Sequence, residues 1–96
     1  MSNELLSWQI TRGCRLAWRV WDEEYVVYNT ASGDTHILDL ITGEALKCLE
    51  DSPASLEQLA ARLAVKLDLG SQEITSQYLT SLISKLHESG LIEPAR

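Results

Sequence analysis

Few residues in this chain combine into a reaction centre. Its two histidines, His36 and His87, have no Cys or His partner at ligand spacing. Packing or turn hydrogen bonding is the simpler role for His36. Cys48 falls on the apolar face of a helical pattern and reads as a small buried hydrophobe. Cys14 stands beside Arg12 and Arg15, which would favour its thiolate, yet a plain loop thiol is the favoured reading. The run Asp22-Glu23-Glu24 places three carboxylates in one short turn, where a solvated charge run is the commoner meaning than a catalytic pair. No Gly-rich phosphate loop, nucleophile motif or His pair occurs. These residues predict neither an enzyme nor a metal or cofactor site.

A different chemistry lies along the last helical pattern. With Ile74 at 0° and 100° per residue, Lys85 falls at about 20°, Tyr78 at about 40° and Ser81 at about 340°. Leu82, Leu86, Leu79 and Ile83 extend the apolar arc to about 180°, wider than the stripe of an ordinary surface helix. The rim of Ile74, Tyr78, Ser81 and Lys85 offers an aliphatic, an aromatic and a cation to a ligand. Packing of the excess against strands would use the same residues. A recognition helix for DNA would present Arg, Lys, Asn or Gln with flanking bases. Here Thr75, Ser76, Gln77, Thr80, Ser84, Lys85 and Glu88 make a near-neutral face, so a helix-turn-helix shape does not carry a DNA-binding function.

The elements that position these residues divide the chain into a β front and an α rear. Trp8, Trp18, Trp21, Tyr25 and Tyr28 crowd the first third, and Tyr78 alone follows. Period-two alternation predicts a strand over 16–20 with Leu16, Trp18 and Val20 on one face. Asp22-Glu23-Glu24 turns the chain into a second strand, 25–28. Ala31-Ser32-Gly33-Asp34 turns it again into a third, Thr35-His36-Ile37-Leu38. Trp8 and Ile10 either pair with this meander or lie across it. From Asp39, a plausible N-cap, the period becomes 3.6. A helix over 40–51 buries Ile41, Ala45, Cys48 and Leu49, and Ser52-Pro53 ends it. Ser55 and Gln58 form a capping box for a helix over 56–69 carrying Leu56, Leu59, Ala60, Leu63 and Leu67. Gly70 closes that helix and Ser71 caps a third over 72–89. Gly90 stops it, Leu91 folds back on its last turn, and Leu91-Ile92-Glu93 runs extended up to Pro94. The expected fold is α+β and winged helix-turn-helix-like: a three-stranded antiparallel sheet followed by a three-helix bundle, with the strands as the wing. It makes a single domain over 1–96, with a core over about 16–93 and an N-terminal arm over 1–15.

Composition narrows the function. The 96 residues are 45% hydrophobic and 23% charged, a globular balance. The net charge of −6 argues against a general nucleic-acid binder. Residues 1–21 are net basic and the remainder strongly acidic. No apolar run spans a membrane, and Met1-Ser2-Asn3-Glu4 lacks the basic and apolar regions of a signal peptide, so the expected compartment is the cytoplasm. The two cysteines are too few for a disulfide scaffold. What remains is the sheet edge. If Thr35–Leu38 is an edge strand beside the third helix, an extended peptide can add to it, drawing affinity from main-chain bonds and specificity from alternate side chains. The same edge could pair two copies of the chain.

The stretch Trp21-Asp22-Glu23-Glu24-Tyr25-Val26-Val27-Tyr28-Asn29, then Ser32-Gly33-Asp34-Thr35-His36-Ile37-Leu38, resembles PqqD-like proteins, in particular the branch associated with HPr-related "rel-A" systems. Leu46…Leu49, Ser55-Leu56…Leu59…Leu63 and Leu82…Leu86…Gly90-Leu91-Ile92 continue the pattern, so the resemblance covers roughly 16–93. It implies a peptide chaperone, the recognition element for ribosomally made and modified peptides, which is itself no enzyme. In such proteins a precursor's leader pairs with the third strand and lies against the third helix, and the domain hands it to a modifying enzyme. Carried over, the strand is Thr35-His36-Ile37-Leu38 and the helix face includes Ile74, Tyr78, Ser81 and Lys85. The resemblance also implies an HPr-kinase-related protein as a partner. The aromatic front and the Ser-Gly-Asp-Thr-His turn depart from PqqD itself, which argues against the pyrroloquinoline quinone precursor as the peptide. The alternatives are a winged-helix nucleic-acid-binding regulator and a docking subunit of an HPr-kinase-related complex.

Overall fold

The computed structural model describes residues 7–67 and 76–95. Within them the chain runs β1 (Ser7–Ile10), β2 (Leu16–Trp21), β3 (Glu24–Asn29), β4 (Thr35–Leu38), α1 (Leu40–Asp51), β5 (Ala54–Ser55), α2 (Leu56–Lys66), α3 (Ser76–Glu88) and β6 (Ile92–Ala95). The architecture is the expected α+β arrangement, with β2, β3 and β4 forming an antiparallel three-stranded sheet in that order. Asp22 and Glu23 both take positive φ, 49° and 66°, and join β2 to β3 by a two-residue hairpin whose twist suits the strands. Asn29 closes the next turn. Its side-chain oxygen accepts from the Ala31 N–H at 3.0 Å, and its amide donates to the Cys14 sulfur at 3.2 Å.

The period-two reading of β2 holds at Leu16 and Trp18, which are half-buried, and fails at Val20, which is 68% exposed. Val20 lies one residue from the end of β2, while Tyr25 opposite it on the same face is buried.

The N-terminal arm corrects the expectation further. Ser7–Ile10 neither pairs with the meander nor stays an arm. It is the centre of a second sheet of order β5-β1-β6. Trp8 lies opposite Ala54 on one side and Pro94 on the other, and Ile10 opposite Ile92. This small sheet is laced among the helices: β5 sits between α1 and α2, and β6 follows α3. The final extended segment also continues through Pro94, which edge strand β6 tolerates.

Helix α1 is buried on most of its circumference, from Thr42 to Leu46 and at Cys48 and Leu49. Asp39 caps it, accepting from the Thr42 N–H at 2.8 Å. Both bonds of the Ser55–Gln58 capping box form on α2. The expected ends near Gly70 and Ser71 lie outside the described residues. Helix α3 ends in a complete Schellman motif: the Gly90 N–H donates to the His87 carbonyl at 3.0 Å and the Leu91 N–H to the Leu86 carbonyl at 3.2 Å, with Gly90 at φ 79°. Leu86 and Leu91, the two residues that meet across that motif, are both buried. Leu46, Leu59, Leu63, Leu79 and Val27 complete the centre of the core, which joins the helices to the inner face of the meander.

Candidate functional site

Edge strand β4 is placed by two facts. It pairs with β3 on one side, and among the described residues nothing pairs with the other. The Asn29 N–H donates to the Asp34 carbonyl at 2.8 Å, in register with the pairs Val27↔His36 and Tyr25↔Leu38. Antiparallel bonding alternates, so His36 and Leu38 spend their backbone groups on β3. Thr35 and Ile37 then direct N–H and C=O away from the sheet. Of the strand Thr35-His36-Ile37-Leu38, these two therefore offer main-chain bonds, whereas His36 and Leu38 point their side chains inward. Leu38 is buried and Ile37 is 65% exposed.

The strand runs directly into Asp39 and α1, and Leu40 at that junction is left partly open to solvent. On α3, Leu79, Leu82, Ile83 and Leu86 are buried in the core, as the centre of the apolar arc requires. Tyr78, Ser81 and Lys85 are exposed on the successive turns beside them. Burial, then the nearby charge of Asp39, pushes the Tyr78 hydroxyl above its ordinary range. Asp39 is the cap of α1 that follows β4. Ile74 lies outside the described residues.

Sequence reasoning missed a polar cluster behind this edge. The Tyr25 hydroxyl donates to Glu44 Oε2, and Lys66 Nζ lies 3.0 Å from Glu44 Oε1. Lys47 Nζ sits 4.5 Å from the Tyr25 ring centroid and 5.3 Å from that of Trp18, whose indole N–H donates to Glu50 at 2.9 Å. Burial alone would raise the Glu44 carboxyl. The Tyr25 hydroxyl and the Lys66 ammonium outweigh it and hold the group below its ordinary range. The bond to Glu44, then burial, pushes Tyr25 up to about 12. The sequence signal was Gly43: a Cβ there would lie 2.7 Å from the Tyr25 ring carbon Cγ, so only glycine lets the ring reach Glu44. The cluster braces β3 against α1 and α2.

A pocket of about 660 Å³ opens between α1 and α2, with Cys48, Ala61, Arg62 and Lys66 among its lining. Its cations are already engaged, Lys66 with Glu44 and Arg62 with the Ser52 carbonyl at 3.3 Å. Burial pushes the Cys48 thiol up, which makes it a poor nucleophile. The pocket has no outward-facing strand groups, so the β4 edge is the better candidate for binding. Among the described residues no cluster of His, Cys, Asp and Glu is placed to hold a metal, and no helix is long and apolar enough to cross a membrane.

No protein-family model and no curated protein matches this chain. Among solved structures it is similar to TbiB1 in complex with the TbiA(beta) leader peptide. The TM-score is 0.65 at 16% identity, over 92% of this chain and 98% of that one. The chain therefore shares the winged-helix-like α+β fold of a protein solved with a leader peptide.

Proposed function

We propose that this chain is a peptide-recognition domain that takes an extended precursor peptide as an added strand on β4. The carrying observation is the unpaired edge at which Thr35 and Ile37 turn their backbone groups outward. Two such residues give a peptide up to four main-chain bonds, and alternate peptide side chains then face α3. Tyr78, Ser81 and Lys85 are the proposed lining on that side, with Ile74 added from the sequence pattern alone. The fold shared with TbiB1, itself a leader-peptide complex, supports the reading. So does the resemblance to PqqD-like proteins, which adds the finer parts of the proposal. The chain presents its peptide to a modifying enzyme, with an HPr-kinase-related protein as a partner, and performs no chemistry itself.

Amide chemical-shift mapping with the short peptide encoded nearest to this chain tests the assignment. Shifts should cluster at 35–38 and along 77–85. Shifts confined to α2, with those segments silent, would overturn it.

A further inference from the structure

The outer face of the meander is unusually apolar for a surface. Tyr25, Val27 and Asn29 of β3 are buried, so Glu24, Val26 and Tyr28 lie on the opposite face. In register with them stand Trp21, 69% exposed, and Ile37, 65% exposed. None of the described elements covers this face. Trp21, Tyr28 and Ile37 alone expose on the order of 350 Å², the scale at which a patch on a soluble protein marks a contact surface.

The register of the face says what fits it. The central row is Arg19, Val26 and Ile37. Two residues to one side lie Trp21 and Glu24, and two residues to the other lie Ala17 and Tyr28. A two-fold axis along the central row would set each Trp21 over the small Ala17 of the second copy. It would also set each Tyr28 hydroxyl against the second copy's Glu24. Arg19, Val26 and Ile37 lie on the axis and meet their own counterparts, and each Arg19 reaches diagonally to the second copy's Glu24 carboxylate. Large meets small, donor meets acceptor, and two arginines are flanked by two glutamates about the axis. Such self-complementarity is what an isologous interface demands.

We propose that a second copy of this chain docks on the outer face of the β2–β3–β4 sheet, forming a two-layer β sandwich across a two-fold axis. The strands of the two sheets then run aligned within the usual twist. Three strands and three rows measure roughly 15 by 20 Å, less than a standard interface buries, so the dimer is a weak, transient one. The arrangement leaves the β4 edge open, and it does not depend on what that edge binds.

Sedimentation velocity on the full chain from about 1 μM to about 100 μM should show a monomer–dimer equilibrium. Arg19→Glu places like charges together and should raise the dissociation constant about tenfold or more. Adding Glu24→Arg to it should restore association. Trp21→Ala should weaken the dimer, while Val20→Ala, exposed on the other face of the same strand, should not. All these positions are solvent-exposed, and an unchanged melting temperature confirms the fold. A monomer throughout the series would overturn the proposal. So would a dimer indifferent to Arg19→Glu and Trp21→Ala but lost in Ile37→Pro, which would place the contact at the β4 edge.

Discussion

Under the proposed assignment, Tyr78 and the leucines beside it separate binding from stability at the level of single residues. Tyr78→Ala should cost about 1–2 kcal/mol of peptide affinity, roughly five- to thirty-fold, because an aromatic anchor beside a strand edge carries a large share of such binding. It should cost less stability than Leu82→Ala or Leu86→Ala, each of which empties a buried site at about 2–5 kcal/mol. Calorimetric titration and denaturant melts on the same variants check both. The helical wheel made this distinction legible, since a 40° difference in angle about the axis puts Tyr78 on the rim and Leu82 in the core. It could not reveal Glu44. A lone Glu in a helix reads as solvent-facing, and its burial follows from Tyr25 and Lys66, which come from β3 and α2. That cluster sets the pH dependence of stability. The Glu44 carboxyl is depressed on folding, so its contribution is full above the ordinary carboxylate range and is lost as pH falls through the folded value. Tyr25 and Lys66 are raised. Their contributions are full below their unfolded ranges and fade as pH rises, for Tyr25 between its ordinary 10.0 and about 12. Denaturant midpoints across pH should fall at both ends. Glu44→Gln should flatten the acid limb, and an acid limb unchanged by that substitution would contradict the account.

At the scale of elements, the hairpin and α1 hold opposite lessons about backbone. Asp22 and Glu23 sit at positive φ without being glycine or asparagine. Replacing them together, Asp22→Asn with Glu23→Gly, should stabilise the fold by about 1 kcal/mol, read as a higher denaturant midpoint with an unchanged slope. Gly43→Ala should do the reverse. A mid-helix alanine ordinarily gains about 1 kcal/mol over glycine, but here its methyl meets the Tyr25 ring and the net effect should be a loss of about 1–3 kcal/mol. Helices with local caps were legible because Asp39, Ser55 with Gln58, and Gly90 carry their instructions within a few residues. The β5-β1-β6 sheet was not. Its strands are short, and Trp8 meets Ala54 and Pro94 from far along the chain, so no local pattern announces the pairing. Val20 misled for a related reason: alternation tells which face a residue takes, not whether anything covers that face.

For the whole molecule, charge and edge geometry point to a peptide rather than a nucleic acid. The net charge of −6, with Lys85 the one Lys or Arg on described α3, leaves that helix poorly equipped to neutralise phosphates. Fluorescence anisotropy at about 0.1 M salt should therefore detect nothing tighter than weak non-specific DNA binding. The meander and the strand that would receive a peptide were readable from alternation and turns. The outward register of Thr35 and Ile37 was not, because it depends on which way the pairing with β3 falls. That register gives the most direct test of strand addition. N-methylation, introduced by semisynthesis at the Ile37 amide, removes one outward donor and leaves every side chain in place. Titration calorimetry of the modified chain with the cognate peptide should show affinity reduced at least about tenfold, while the same change in the peptide's own pairing amide should match it. Full affinity after methylation at Ile37, in a chain with unchanged melting temperature, would contradict binding by an added strand on β4.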